Sequence, residues 1–126
     1  VVARLKRVAP ATPVAHYFEA VLRFLRDDVE ATVASSEPAI AADRGNAPTY
    51  DLLGAARTKQ GQSSAARVAF EISLRLNAHD STAYTNLGVL ALKEGDRRVA
   101  AGFFAGALWL DPASRTAREG LAQAKR

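Results

Sequence analysis

Apolar side chains recur three and four residues apart along this chain, in runs broken by short polar stretches. Leu87, Leu90 and Ala91 form one such stripe, and Ala100, Phe104, Ala107 and Leu108 form another. Each run therefore reads as one face of an amphipathic helix. The runs themselves repeat. A shift of 34 residues carries Tyr50 onto Tyr84, Leu53-Gly54 onto Leu87-Gly88 and Gly61 onto Gly95. The same shift carries Ala66 onto Ala100, Phe70 onto Phe104, Leu74 onto Leu108 and Leu76 onto Leu110. Residues 47–80 and 81–114 are two copies of one unit, which is the mark of stacked repeats.

Helix boundaries follow the same period. Asn46, Asp80 and Ser114 lie 34 apart, and each can cap a helix by accepting from its first free N–H groups. Pro48 fits the first turn, where its missing N–H costs little. Gly61 and Gly95 interrupt each unit midway, and Ser63 and Asp96 are candidate caps for a second helix. The pattern predicts helices near 47–60, 62–77, 81–94 and 96–110. Gly54 and Gly88 fall inside helices, where glycine costs about 1 kcal/mol relative to alanine. Their recurrence predicts two backbones in close approach.

These units resemble the tetratricopeptide repeat (TPR). The resemblance is carried by Tyr50, Leu53-Gly54, Gly61, Ala66, Phe70 and Leu74 in one copy. In the other it is carried by Tyr84, Asn86-Leu87-Gly88, Gly95, Ala100, Phe104, Ala107-Leu108 and Leu110-Asp111-Pro112. Arg57 stands where the family usually has an aromatic residue, and Ala78 where it usually has proline. The resemblance implies an all-α fold, a right-handed superhelix of antiparallel helix pairs, acting as a protein-interaction module.

Outside the two clear copies the pattern loosens. Residues 13–46 have the length of a third, degenerate repeat: Ala39-Ile40 fall in step with Leu74 and Leu108, and Asp43 with Asp111. The first apolar stripe runs through Val14, Tyr17, Phe18, Val21, Leu22 and Leu25. Strict alignment would instead put His16, Glu19, Ala20 and Arg23 toward the core. A phase shift of about two residues, absorbed in a shorter turn at Asp27-Asp28, reconciles the two readings. Asp27 followed by Glu30 forms a capping box, and Pro38 is expected to kink or break the second helix near Ser36. A single long helix over 14–34 is the rival arrangement. Residues 115–126 continue the pattern only as Leu121-Ala122 and read as a polar capping helix that closes the solenoid. Residues 1–12, with Pro10 near their end, read as a basic arm or the tail of a preceding segment. Tyr17, Phe18, Phe24 and Leu25 cover a wide arc, so residues 1–12 or another part of a longer parent is expected to cover them.

Composition narrows the function. The chain has 126 residues and 48% hydrophobic content, enough for one domain. It begins at Val1 and contains no Met, as expected of a piece of something longer. With no Cys it has neither disulfides nor thiolate metal sites, and either redox compartment is compatible. No apolar run is long enough to span a membrane. The net charge of +4 resolves into +3 in residues 1–12, −3 in 13–46, +1 in 47–80, 0 in 81–114 and +3 in 115–126. That excess sits at the two ends rather than along one continuous surface, which argues against nucleic acid as the partner.

Nothing in the chain assembles a catalytic site. His16 and His79 have no partner at metal-ligand spacing, and Asp27-Asp28 fit helix caps better than an acid–base pair. No cofactor is implied. In TPR proteins the first helix of each unit lines a concave groove, so the resemblance implies Asp51, Leu52, Ala55 and Lys59 in one unit as groove residues. In the next unit it implies Thr82, Thr85, Asn86, Val89 and Lys93. Of the residues by which some members clamp a C-terminal carboxylate, only Asn86 is matched. Asp51 and Ala55 replace a Lys and an Asn, so such clamping is not expected. Lys59 and Lys93 serve solubility or orient an acidic peptide. Trp109 aligns with Arg75 at an outward position. It is expected to pack on the capping helix; exposed, it would mark a convex contact site. The expected function is a non-catalytic interaction module that binds a peptide or partner domain. The alternative is a self-association or positioning domain of a larger, possibly enzymatic parent, through Trp109 or the first helix.

Overall fold

A computed structural model describes residues 13–126, and it holds seven helices among them. They are α1 (Pro13–Leu25), α2 (Val29–Ala42), α3 (Ala47–Lys59), α4 (Ser63–Leu76), α5 (Ser81–Lys93), α6 (Arg97–Leu110) and α7 (Arg115–Ala124). The expected helices of the two clear units therefore hold to within a residue or so at each end. The basic arm expected over residues 1–12 lies outside the described residues.

Neighbours in sequence pack as hairpins: α1 on α2, α3 on α4, α5 on α6. The first helices of successive hairpins also approach one another, in the series α1, α3, α5, α7, while among the described residues the backbones of α2, α4 and α6 stay farther apart. One layer is thus close-packed and the other splayed. The stack curves with α1, α3 and α5 on its inner side.

Local chemistry explains where the helices stop and start. Asp80, Asp96 and Ser114 each accept from the backbone N–H three residues on, at Ala83, Val99 and Ala117. Asn46 occupies its cap position without such a bond. Ser63 is not a cap; Gln62 holds that place, and Ser63 begins α4. The hairpin turns pass through Asp27, Gly61 and Gly95 at φ of 59°, 76° and 81°. These left-handed conformations reverse the chain over two or three residues, and glycine suits them because it has no Cβ.

The positions of Asp27, Gly61 and Gly95 correct the reading of the first unit. They are 34 residues apart, so the turn before α2 is as long as the others and no phase shift occurs. Ala15 and Ala20, in step with Thr49 and Gly54, are fully buried. Glu19 and Arg23, at the next aligned positions, are only partly buried and lie 3.9 Å apart as an ion pair. The large apolar residues stay outside: Phe18 is 45% and Leu25 75% exposed. Asp28 rather than Asp27 caps α2, accepting from Ala31 N–H at 3.2 Å. The chain does not run on as one long helix, and α2 does not break at Ser36. Pro38 and Ala34, whose carbonyl loses its donor, both face solvent, so water can replace the bond. On the inner side, the Ser36 hydroxyl donates to the Thr32 carbonyl at 2.8 Å.

Two aromatic rings organise the core. Phe70 packs with Ala66, Leu87 and Leu90, and Phe104 with Ala91, Ala100, Ala107 and Ala117. Each ring lies flush against a glycine of its own hairpin, Gly54 or Gly88. The close approach expected at these glycines is therefore ring to backbone, not backbone to backbone.

Candidate functional site

The inner face of the stack carries a groove of about 500 Å³ bounded by α1, α3 and the start of α5. Asp51, Leu52 and Ala55 come to it from α3, and Thr82 and Asn86 from α5. Beyond Ala55 and Asn86 the groove continues into a smaller recess of about 160 Å³ lined by Lys59, Val89 and Lys93. Eight of the nine groove residues expected from the sequence meet here. Thr85 does not: it is buried, and its hydroxyl donates to the Ser81 carbonyl at 2.9 Å. Tyr17, Phe24, Pro48, Asn77 and Asp80 line the groove as well, although sequence reasoning passed over them. For Tyr17 a signal existed, since the 34-residue shift places it on Asp51.

The floor of the groove is acidic. Asp51, 8% exposed, meets Asp80 at the junction of two units. Burial, and then the hydrogen bond between the two carboxyls, push Asp51 up to about 8. Burial alone would raise Asp80 too. It is outweighed by hydrogen bonds from Asp51, Ser73 and the Ala83 and Thr82 N–H groups, which hold Asp80 below the usual carboxylate range. The pair therefore shares one proton near neutrality, with the charge resting on Asp80. The buried Ser73 hydroxyl lies 2.8 Å from Asp80 Oδ2, to which it donates, and 3.2 Å from the Ala47 carbonyl.

The two lysines differ. Lys59 Nζ lies 2.8 Å from Asp27 Oδ1 and 4.5 Å from the centroid of the Phe24 ring, so it fastens α3 to the α1–α2 turn. The hydrogen bond and charge of Lys59 hold Asp27 below its ordinary value. Lys93 is exposed and makes no ion pair among the described residues. Trp109 is 87% exposed on α6 and does not pack on α7 as expected. Among the described residues no three His, Cys, Asp or Glu side chains cluster as a metal site, and no helix is long and apolar enough to cross a membrane.

Solved structures of the same shape are numerous. The Arabidopsis OM64 TPR domain superposes with a TM-score of 0.86 at 18% identity, covering 90% of this chain and 94% of that one. The first TPR of Spaghetti (RPAP3), bound to the HSP90 peptide SRMEEVD, gives 0.84 at 15% identity over 90% of each chain. This fold is a TPR solenoid. The Cut9–Hcn1 tetramer of the APC/C contains it as well, with a TM-score of 0.90 at 19% identity over 99% of this chain and 26% of that one. In sequence, no protein-family model and no curated protein matches the chain. The expected right-handed superhelix of antiparallel helix pairs is thus the observed architecture. The groove lies on the inner, concave side of that TPR superhelix.

Proposed function

We propose that the chain is a non-catalytic interaction module whose concave groove holds an extended peptide segment or a helix of a partner. One observation carries this reading. A groove that mixes apolar side chains (Phe24, Pro48, Leu52, Ala55) with polar ones (Asp51, Asn77, Thr82, Asn86) lies on the inner helices of a TPR fold, a shape that suits recognition rather than chemistry. The first and second TPR domains of RPAP3, which share the fold, are seen with peptides of HSP90 and HSP70. In this chain the groove set is Asp51, Leu52, Ala55, Thr82, Asn86, Val89 and Lys93. Lys59 contributes by holding α1 and α3 together rather than as a recognition cation. Residues 13–46 act as a full repeat, since their turn at Asp27 and the cap at Asp28 keep the period, and residues 115–126 close the end.

Peptides selected from a random displayed library, titrated into isotopically labelled protein, test the reading. Amide shifts at Ala55, Asn86 and Val89 support it, whereas shifts confined to α6 around Trp109 would refute it. The exposure of Trp109 favours a second reading, self-association through the convex face. Sedimentation of Trp109→Ser beside the parent chain decides that: a dimer lost in the variant supports it.

A further inference from the structure

Asp51, Ser73 and Asp80 depart from the repeat that surrounds them. One unit on, their positions read Thr85, Ala107 and Ser114; one unit back, they read Tyr17, Ala39 and Asn46. Both neighbouring units build the same helix pair with neutral groups at these places. The acids are therefore not a requirement of the scaffold. Asp80 at least caps α5, a task that Ser114 performs equally for α7. Asp51 has no such task. Its Oδ1 is buried without a hydrogen-bond partner, and its side chain lines the groove. An acceptor buried in this way is costly unless something arrives to satisfy it.

We infer that the Asp51–Asp80 pair is the seat of a lysine or arginine side chain of the bound segment, its alkyl stem lying along Tyr17, Leu52 and Ala55. The inference rests on the peptide-groove reading and assigns that groove its polarity. Asp51 and Asp80 are the only charged groups among the described lining residues of the main groove, and Tyr17 is the one other titratable side chain there. Ser73 from α4 and Thr82 and Asn86 from α5 face the pair as neutral groups. A cation entering this floor meets an unpaired carboxylate charge, and a charge-assisted hydrogen bond completes Asp51. Long basic side chains bury their stems against apolar walls while the head group finds its partner. An acidic segment would meet like charge at the same point. Arrival of the cation displaces the proton shared by the pair, so binding tightens as pH rises toward the range where Asp51 ionises.

Display selection of short random peptides against the 126-residue chain tests this. The best peptides are then made with blocked termini, with and without norleucine in place of their basic residue. The expected consensus contains Lys or Arg, and norleucine weakens binding about tenfold, the effect of one such contact. Asp51→Asn should weaken the basic peptide by the same factor and leave the norleucine peptide unchanged, with affinity for the parent chain rising between about pH 6.5 and about pH 8.5. Asp51→Thr copies the residue of the next unit and serves if the Asn variant is disturbed. Selected peptides without a cation, or basic peptides that bind Asp51→Asn as tightly, overturn the inference and leave the groove reading intact. No enrichment on the parent chain overturns both.

Discussion

The Phe70 ring fills the space that a side chain on Gly54 would need: a Cβ there would lie 2.4 Å from Phe70 Cε1. Gly88 and Phe104 repeat the relationship one unit on, with 2.7 Å to Cε1. The first unit solves the same packing problem with the opposite sizes. There Ala20 and Ser36 hold the equivalent positions, both fully buried. A larger residue on one helix is thus matched by a smaller one on its partner, as close packing requires.

Gly54→Ala should therefore destabilise the protein even though alanine is the better helix former. Overpacking costs about 1–3 kcal/mol, against a propensity gain of about 1 kcal/mol. With Phe70→Leu in the background the alanine should cost nothing further. Urea denaturation of the two single variants and the double variant measures the coupling; additive effects would refute the ring contact as the cause.

Gly95→Ala and Gly102→Ala should move stability in opposite directions. Gly95 turns at φ of 81°, where a Cβ costs about 1 kcal/mol. Gly102 lies exposed in α6 with open space where a Cβ would stand, so alanine there gains up to about 1 kcal/mol. Thermal melts of the two variants make the comparison.

Thr49→Val should stabilise by about 1 kcal/mol. The Thr49 hydroxyl is buried with no hydrogen-bond partner, while Ala15, Ala83 and Ala117 fill the same place in the other units. Valine keeps the shape and removes the unpaired group. A lower urea midpoint in the variant would contradict this account.

Stability should depend on pH through Asp51. Its carboxyl, ordinarily near 3.8 and here about 8, keeps in the folded state a proton that the unfolded chain has already released. That contribution is fully present below about pH 4 and is lost as pH rises through about 8. Asp80, held below its ordinary value, acts only at the acid end, where stability falls as pH drops through that lowered value. Urea midpoints should decline from about pH 5 to about pH 8.5 in the parent chain and lie flat in Asp51→Asn. An equal decline in the variant would assign the effect elsewhere.

The period alone located both clear hairpins, the Gly61 and Gly95 turns and the Asp80, Asp96 and Ser114 caps. Each depends on residues a few positions apart, where helix geometry and capping chemistry act. Periodicity also put Trp109 on an outward face, although not its lack of contact with α7. The first unit was harder to read because hydrophobicity ranked Phe18, Leu22 and Leu25 above Ala15 and Ala20. Close helix packing selected the small residues instead, since only they let the backbones approach. The acidic floor was invisible in the sequence: Asp51 and Asp80 lie 29 residues apart, and Ser73 joins them from a third helix. The amino-acid order by itself determined the helices of the two clear units and the 34-residue frame that relates them, because those follow from local periodicity. Only the tertiary structure decided which side chains share a proton, which lysine is already paired and where an unpaired carboxyl oxygen is buried, because burial and mutual distance set those energies.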